Sequence, residues 1–106
     1  MAKYLVNARY TAEGLKGLMK DKASGRHAAV SKAIGALGGK LEAFYYTFGD
    51  HDCFLIVDLP DNVSAAALSL RVSATGLVRT RTTPVLTVAE VDQALQKGVD
   101  YRAPGQ

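Results

Sequence analysis

The strongest restriction on the fold comes from a run of five apolar residues, Cys53-Phe54-Leu55-Ile56-Val57. Successive side chains of a β-strand point to opposite faces of a sheet. This strand therefore places Cys53, Leu55 and Val57 on one face and Phe54 and Ile56 on the other. A strand that is apolar on both faces is typical of the middle of a sheet that is covered on both sides. The run is also far shorter than the roughly 20 residues that a membrane-spanning helix needs.

Turn and cap residues divide the rest of the chain at regular intervals. Strands are predicted over residues 3–10, 40–48, 53–58 and 77–83, with Pro84 ending the last one. Helices are predicted after the caps Thr11 and Ser24, with a break over residues 21–25 between them, and again after residues 60–62. A last helix begins at a capping box formed by residues 87–90. The expected apolar stripes of the second and third helices are Val30, Ala33, Ile34 and Leu37, and Val63, Ala67, Leu70 and Ala74.

The resulting order is β-α-β-β-α-β with an extra C-terminal helix. It predicts an α+β, ferredoxin-like fold, in which a four-stranded antiparallel sheet carries its helices on one face. A length of 106 residues corresponds to one domain, 1–106, of which residues 99–106 form a C-terminal tail.

Composition narrows the classes of function. The net charge of +3 is spread along the chain without a basic cluster, which argues against nucleic-acid binding. The single cysteine excludes an intrachain disulfide, and no Cys/His set of zinc-site spacing occurs. The N-terminus has no signal-peptide core, so we expect a cytoplasmic protein that does not enter a membrane.

The predicted sheet leaves an apolar patch uncovered, because the helices can cover only one of its faces. A homodimer or higher oligomer that stacks sheet on sheet is the simplest cover. The alternative is that a helix or the tail of the same chain folds over this face. Arg79 and Arg81 could clamp an anion, but pairing with Glu42 or with acids across the dimer interface is the preferred interpretation. The predicted interface consists of Arg9, Glu42, Phe44, Tyr46, Phe54, Ile56, Arg79 and Arg81.

The densest polar cluster is Asp50-His51-Asp52-Cys53 at the predicted hairpin. It is compatible with an acid/base site or with metal ligation by His51 and a carboxylate. Turn chemistry is the preferred interpretation, since glycine and aspartate are common in tight turns. Cys53 is expected to be a small buried side chain rather than a nucleophile. No phosphate-binding glycine motif is present, so we predict neither a cofactor nor a metal.

The chain resembles the GYD domain family over about residues 3–104. The resemblance is carried by residues 3–6, 10–18, 37–45, 48–52, 57–62 and 82–87 together. The family motif at the hairpin corresponds to Gly49, Asp50, His51 and Asp52, with His51 in place of the usual tyrosine. The resemblance implies a ferredoxin-like protein of the dimeric α/β-barrel type and no established activity.

Two hypotheses of function follow. The first is a homo-oligomeric module that binds a small molecule or regulates through it. The second is an enzyme with a pocket between helices and sheet, using a histidine as general base and a tyrosine to orient the substrate. The candidate catalytic residues are His27, Tyr10, Tyr45, His51 and Asp52.

Overall fold

Four strands form one antiparallel sheet in the computed structural model, which describes residues 1–106. The strands lie in the order β2-β3-β1-β4, so the two halves of the split βαβ pattern interleave. The predicted α+β, ferredoxin-like fold is confirmed. The elements in chain order are β1 (Ala2–Tyr10), α1 (Ala12–Ala36), β2 (Lys40–Tyr46), β3 (Cys53–Leu59), α2 (Asn62–Ala74), β4 (Val78–Val85) and α3 (Val88–Gln96).

The core lies between the sheet and the two helices α1 and α2. The inward side chains of β1 and β3 alternate as predicted, and Ile34 of α1 is fully buried against them. Burial of an aliphatic side chain of this size contributes about 2 kcal/mol. The core residues are Tyr4, Val6, Ala8, Ile34, Cys53, Leu55, Val57, Leu59 and Ala65.

Helix α1 is interrupted where the sequence predicts a break. Thr11 caps its first turn by accepting a hydrogen bond from the backbone N–H of Gly14, and Lys22 has a non-helical backbone with φ 67° and ψ 166°. The second segment buries Ile34 and partly buries Val30 and Leu37, as the predicted stripe requires, but Ala33 of that stripe is exposed. The helix ends before Gly38, which has φ 78°. Glycine adopts this conformation without the steric cost that other residues meet.

Two local expectations are wrong. Pro84 does not end β4 but lies inside it, opposite Tyr4. This position is tolerated because β4 is an edge strand, where one N–H of the backbone needs no partner in the sheet. In α2 the buried or half-buried side is formed by Ala65, Leu68, Ser69 and Val72, and the stripe predicted from Val63 is exposed. An alanine-rich helix has apolar residues around most of its circumference, so periodicity alone does not select its buried face.

The face assignment of two predicted interface residues is also wrong. Phe44 lies opposite Leu55 and Tyr46 opposite Cys53, so both are on the helix-covered side of the sheet. The cause is a β-bulge between Leu41 and Ala43, where β2 contains one residue more than β3. A bulge shifts the alternation of all residues that follow it.

Helix α3 and the tail extend away from the rest of the chain. α3 has no extensive contact with any other helix or strand. The chain is elongated: its radius of gyration is 16.9 Å, against about 13 Å for a compact folded domain of this length. Leu86, Val88 and Leu95 are largely exposed. No helix has the length and apolar character that crossing a membrane requires.

Candidate ligand pocket

A cavity of about 130 Å³ lies between the sheet and the two helices α1 and α2. Fifteen of its 19 lining residues are hydrophobic. We call it the helix–sheet cavity. Its floor is made by inward residues of β1 and β3, such as Val6 and Leu55, and one wall by Ala29 and Ala33 of α1. These two alanines are also solvent-exposed, so the cavity opens alongside α1.

The cavity exists because the covering helices diverge. α1 packs mainly on β2 and α2 mainly on β4, and the two helices have no extensive contact with each other. The small side chains between them, Ala8, Ala29, Ala33 and Ala65, do not fill the gap above the central strands. The sequence therefore provides a space lined with apolar atoms, which is the usual character of a small-molecule site.

One end of the helix–sheet cavity carries its charged lining residue, while the hydroxyl residues Ser69, Thr80 and Thr82 line the side formed by α2 and β4. Arg26 of α1 and Tyr10 of β1 line this end together with the Cys53 thiol. The Tyr10 hydroxyl lies 3.4 Å from the hydroxyl of Tyr46. Phe44 stacks on Tyr46 at a ring-centroid distance of 5.3 Å and contacts the His27 ring in a tilted arrangement at 5.8 Å.

Burial shifts the acidity of two groups at this end. It raises the pKa of the Cys53 thiol to about 11, and the neighbouring Asp52 adds to the rise. Burial and the hydrogen bond with Tyr10 raise the pKa of Tyr46 well above its usual value. The positive charge of Arg26 opposes both shifts, so its guanidinium lies within electrostatic reach of the two groups. Cys53 is thus a protonated thiol at neutral pH, which fits a buried residue rather than a nucleophile.

The hairpin motif is organised by backbone hydrogen bonds. One carboxylate oxygen of Asp52 accepts a hydrogen bond of 2.8 Å from the backbone N–H of Tyr10, at the end of β1. The Thr47 hydroxyl donates to the carbonyl oxygen of His51 at 2.8 Å. Gly49 has φ 114°, a conformation that favours glycine. Thr47 and Gly49 fit turn chemistry, whereas the Asp52 carboxylate binds the end of β1 and does not close the turn itself.

The candidate catalytic residues do not converge. His27 contacts the ring of Phe44, and neither histidine ring takes part in a side-chain hydrogen bond. Tyr45 lies opposite Phe54 and stacks on it at 5.6 Å, on the side of the sheet away from the helices. Of the five candidates only Tyr10 lines the helix–sheet cavity.

Sequence reasoning missed Arg26 as a cavity residue. It precedes Ala29, Val30 and Ala33 by three, four and seven positions, and these residues share one face of a helix. This spacing is a signal that could have identified it. The breadth of the cavity had no such signal, because it depends on how far apart the helices lie.

The sheet side without helices forms a second notable surface, which we call the open sheet face. Its centre is partly apolar, and its β4 edge carries Arg79 and Arg81 beside Arg9 of β1. None of these three arginines makes an ion pair, and Glu42 pairs instead with Lys3 at 2.7 Å. The expected pairing of Glu42 with the β4 arginines is therefore wrong within one chain. The face comprises Leu5, Asn7, Arg9, Ala43, Tyr45, Phe54, Ile56, Arg79, Arg81 and Thr83.

Fold and cavity together define an α+β, ferredoxin-like domain with an apolar chamber between its helices and its sheet. Comparison with protein families assigns it further. The model of the GYD domain family matches residues 4–95, nearly the whole chain, and the chain belongs to that family. Comparisons with curated proteins and with solved structures give no match.

Proposed function

We propose that this GYD domain protein is a small-ligand-binding module whose guest occupies the helix–sheet cavity. The observation that carries the proposal is the cavity itself, 130 Å³ in volume and lined by 15 hydrophobic residues. An apolar cavity of about 150 Å³ admits a guest of the size of benzene. The matching chemistry is a guest of one aromatic ring or a short branched chain, held by burial of its apolar surface.

Binding is supported better than catalysis. The enzyme hypothesis requires a histidine within hydrogen-bond reach of a tyrosine or aspartate inside a closed pocket. Neither histidine lines the cavity, and the Asp52 carboxylate is bound to the backbone of Tyr10. The cavity therefore offers shape and apolar surface, with few groups that could move a proton.

Titration with toluene, followed by NMR of the backbone amides, tests the proposal. We expect saturable shifts at residues that line the cavity, such as Val6, Leu55 and Leu68. Ala29→Leu fills the mouth from an exposed helical position and should weaken toluene binding at least about tenfold. Ala28→Leu is the matched control, since Ala28 is its exposed neighbour outside the lining. No saturable shifts in the wild-type protein, or equal effects of the two substitutions, would contradict the proposal.

We propose further that the protein associates with a second copy of itself through the open sheet face and α3. A partly apolar face with a polar rim is typical of an interaction site. α3 supplies a complementary surface, because Val91 and Leu95 are exposed and the helix contains two acidic residues and no basic one. Arg9, Arg79 and Arg81 have no partner in their own chain. The acidic, apolar α3 of one copy thus fits the basic, apolar face of the other.

Sedimentation analysis at micromolar concentration tests self-association. A dimer of the 11.3 kDa chain is expected for the wild type. Leu95→Asp on α3 should shift it to monomer, and so should Arg81→Glu on the open sheet face. Leu70→Asp is the control, because Leu70 is a comparably exposed leucine on α2, 71% against 79% for Leu95. A wild-type protein that stays monomeric would overturn this proposal without affecting the one on ligand binding.

The same free, buried Cys53 that sits in the cavity wall supports a cytoplasmic location for the module. A reducing compartment is where proteins with unpaired thiols are usual.

A further inference from the structure

The polar end of the helix–sheet cavity contains a charged side chain. A cavity that accepted only hydrocarbons would need no cation in its lining. Arg26 is a lining residue, and its side chain is 30% exposed. Its guanidinium is therefore partly desolvated. A partly desolvated guanidinium is a favourable site for a carboxylate or another planar anion.

The Arg26 guanidinium has N–H donors that are not used in hydrogen bonds. The one salt bridge of Arg26 is with Asp21, and their closest approach of 3.9 Å is too long for a hydrogen bond. Asp52 also lies at this end, but one of its oxygens is committed to the N–H of Tyr10. Arginine carries five N–H donors, so most of them stay available to a guest.

Two hydroxyls lie at the polar end, that of Tyr10 in the cavity lining and that of Tyr46 beside it, outside the lining. Tyr10 and Tyr46 place their oxygens 3.4 Å apart, a distance at which they bind each other weakly. Both groups can turn their O–H toward an acceptor that arrives between them and Arg26. On the α2 and β4 side the lining is mostly apolar, with Leu59, Ala65 and Leu68, and its hydroxyls on Ser69 and Thr80 hydrogen-bond to each other at 2.9 Å.

We propose that the guest is a small amphipathic anion, an aromatic or branched-chain monocarboxylate, whose carboxylate binds Arg26 and the Tyr10 and Tyr46 hydroxyls while its apolar body fills the cavity. This inference rests on the proposed ligand-binding function and specifies its substrate class. Amines of the same shape are excluded, because their charge would meet the guanidinium.

Three probes of nearly equal shape separate the two proposals: toluene, benzamide and benzoate. They are compared on the full-length protein at neutral pH by NMR titration. We expect benzoate to bind roughly tenfold more tightly than benzamide, as one charge-assisted hydrogen-bonding group would give. Arg26→Gln should remove this preference, so that benzoate and benzamide bind with similar affinity. Lys32→Gln, which deletes a cation from an exposed site on α1 outside the lining, should retain it.

The outcomes are distinguishable. If toluene and benzamide bind and benzoate binds no more tightly, the inference on the anion fails and the binding module stands. If none of the three probes binds, the proposed function itself fails. Tyr10→Phe with Tyr46→Phe provides a second measurement, since the double substitution removes only two hydroxyls. It should weaken benzoate relative to toluene, and an equal loss of both would show that the tyrosines only shape the cavity.

Discussion

Asp52 is the residue of the hairpin motif with a clear structural task. Its carboxylate closes a hydrogen bond with the backbone N–H of Tyr10, and its own backbone N–H donates to the carbonyl oxygen of Ala8. The loop between β2 and β3 is thereby joined to the end of β1, next to the polar end of the cavity. Asp50, two residues earlier, is exposed and makes no side-chain hydrogen bond.

Substitution of the two aspartates should therefore have unequal effects. Asp52→Ala leaves the Tyr10 N–H without its acceptor and should lower the free energy of unfolding by about 1–2 kcal/mol. Asp50→Ala should change it by less than about 0.5 kcal/mol. Urea denaturation of both variants measures the difference. A larger loss at Asp50 than at Asp52 would contradict the assignment of the structural role.

At the residue scale the sequence predicts what depends on near neighbours. The Thr11 cap and the break near Lys22 each follow from residues within a few positions, whereas the contact of Asp52 with Tyr10 joins residues far apart in the chain. The place of Arg26 at the polar end of the cavity depends on Phe44, Cys53 and Tyr46, which belong to other elements. The cavity end is made by tertiary contacts that no local pattern encodes.

Among the elements, α1 is fixed to the rest of the fold at its first turn. The backbone N–H and the hydroxyl of Thr11 both donate to the carbonyl oxygen of Leu77, which precedes β4. Gly14 lies directly against the same carbonyl group, where an added Cβ would overlap the oxygen. Close approach of helix and loop thus depends on the missing side chain.

Two glycines of α1 form a matched pair for testing this contact. Gly14→Ala should lower the free energy of unfolding by about 2 kcal/mol, because the loop at Leu77 has to move. Gly17→Ala, one turn later, meets no atom within 4 Å and should raise it by about 0.5–1 kcal/mol through helix propensity. Thermal and urea unfolding of the two variants provide the measurement. Equal effects would mean that α1 does not pack on the loop as described.

The order of the elements was predictable because caps and glycines mark their ends. Which side chains of β2 point toward the helices was not predictable. The segment Lys40–Tyr46 has apolar side chains in both alternating sets, so its sequence fits either face. The bulge at Glu42 determines which side chains of β2 face the helices. A bulge depends on pairing with another strand, so the sequence of β2 alone does not predict it. α2 is ambiguous for the same reason, because alanines surround it.

For the whole molecule, the burial of the Cys53 thiol makes stability depend on pH. The thiol is 2% exposed, and its pKa of about 11 lies above the usual value of 9.0. Between these two values the unfolded chain has lost the proton and the folded chain retains it. The unfolded state then binds fewer protons, so the free energy of unfolding falls as the pH rises.

The stability of the protein should therefore decline on the alkaline side, starting near pH 9. Comparison with Cys53→Ala isolates the thiol from the tyrosines and lysines that also ionise there. Between about pH 8 and pH 10 the wild type should lose roughly 1 kcal/mol more unfolding free energy than the variant. Urea denaturation across this range, with reductant present, gives both curves. If the curves are parallel, the Cys53 thiol is not held in its neutral form by the folded core, and the closed, apolar character of the cavity floor would have to be revised.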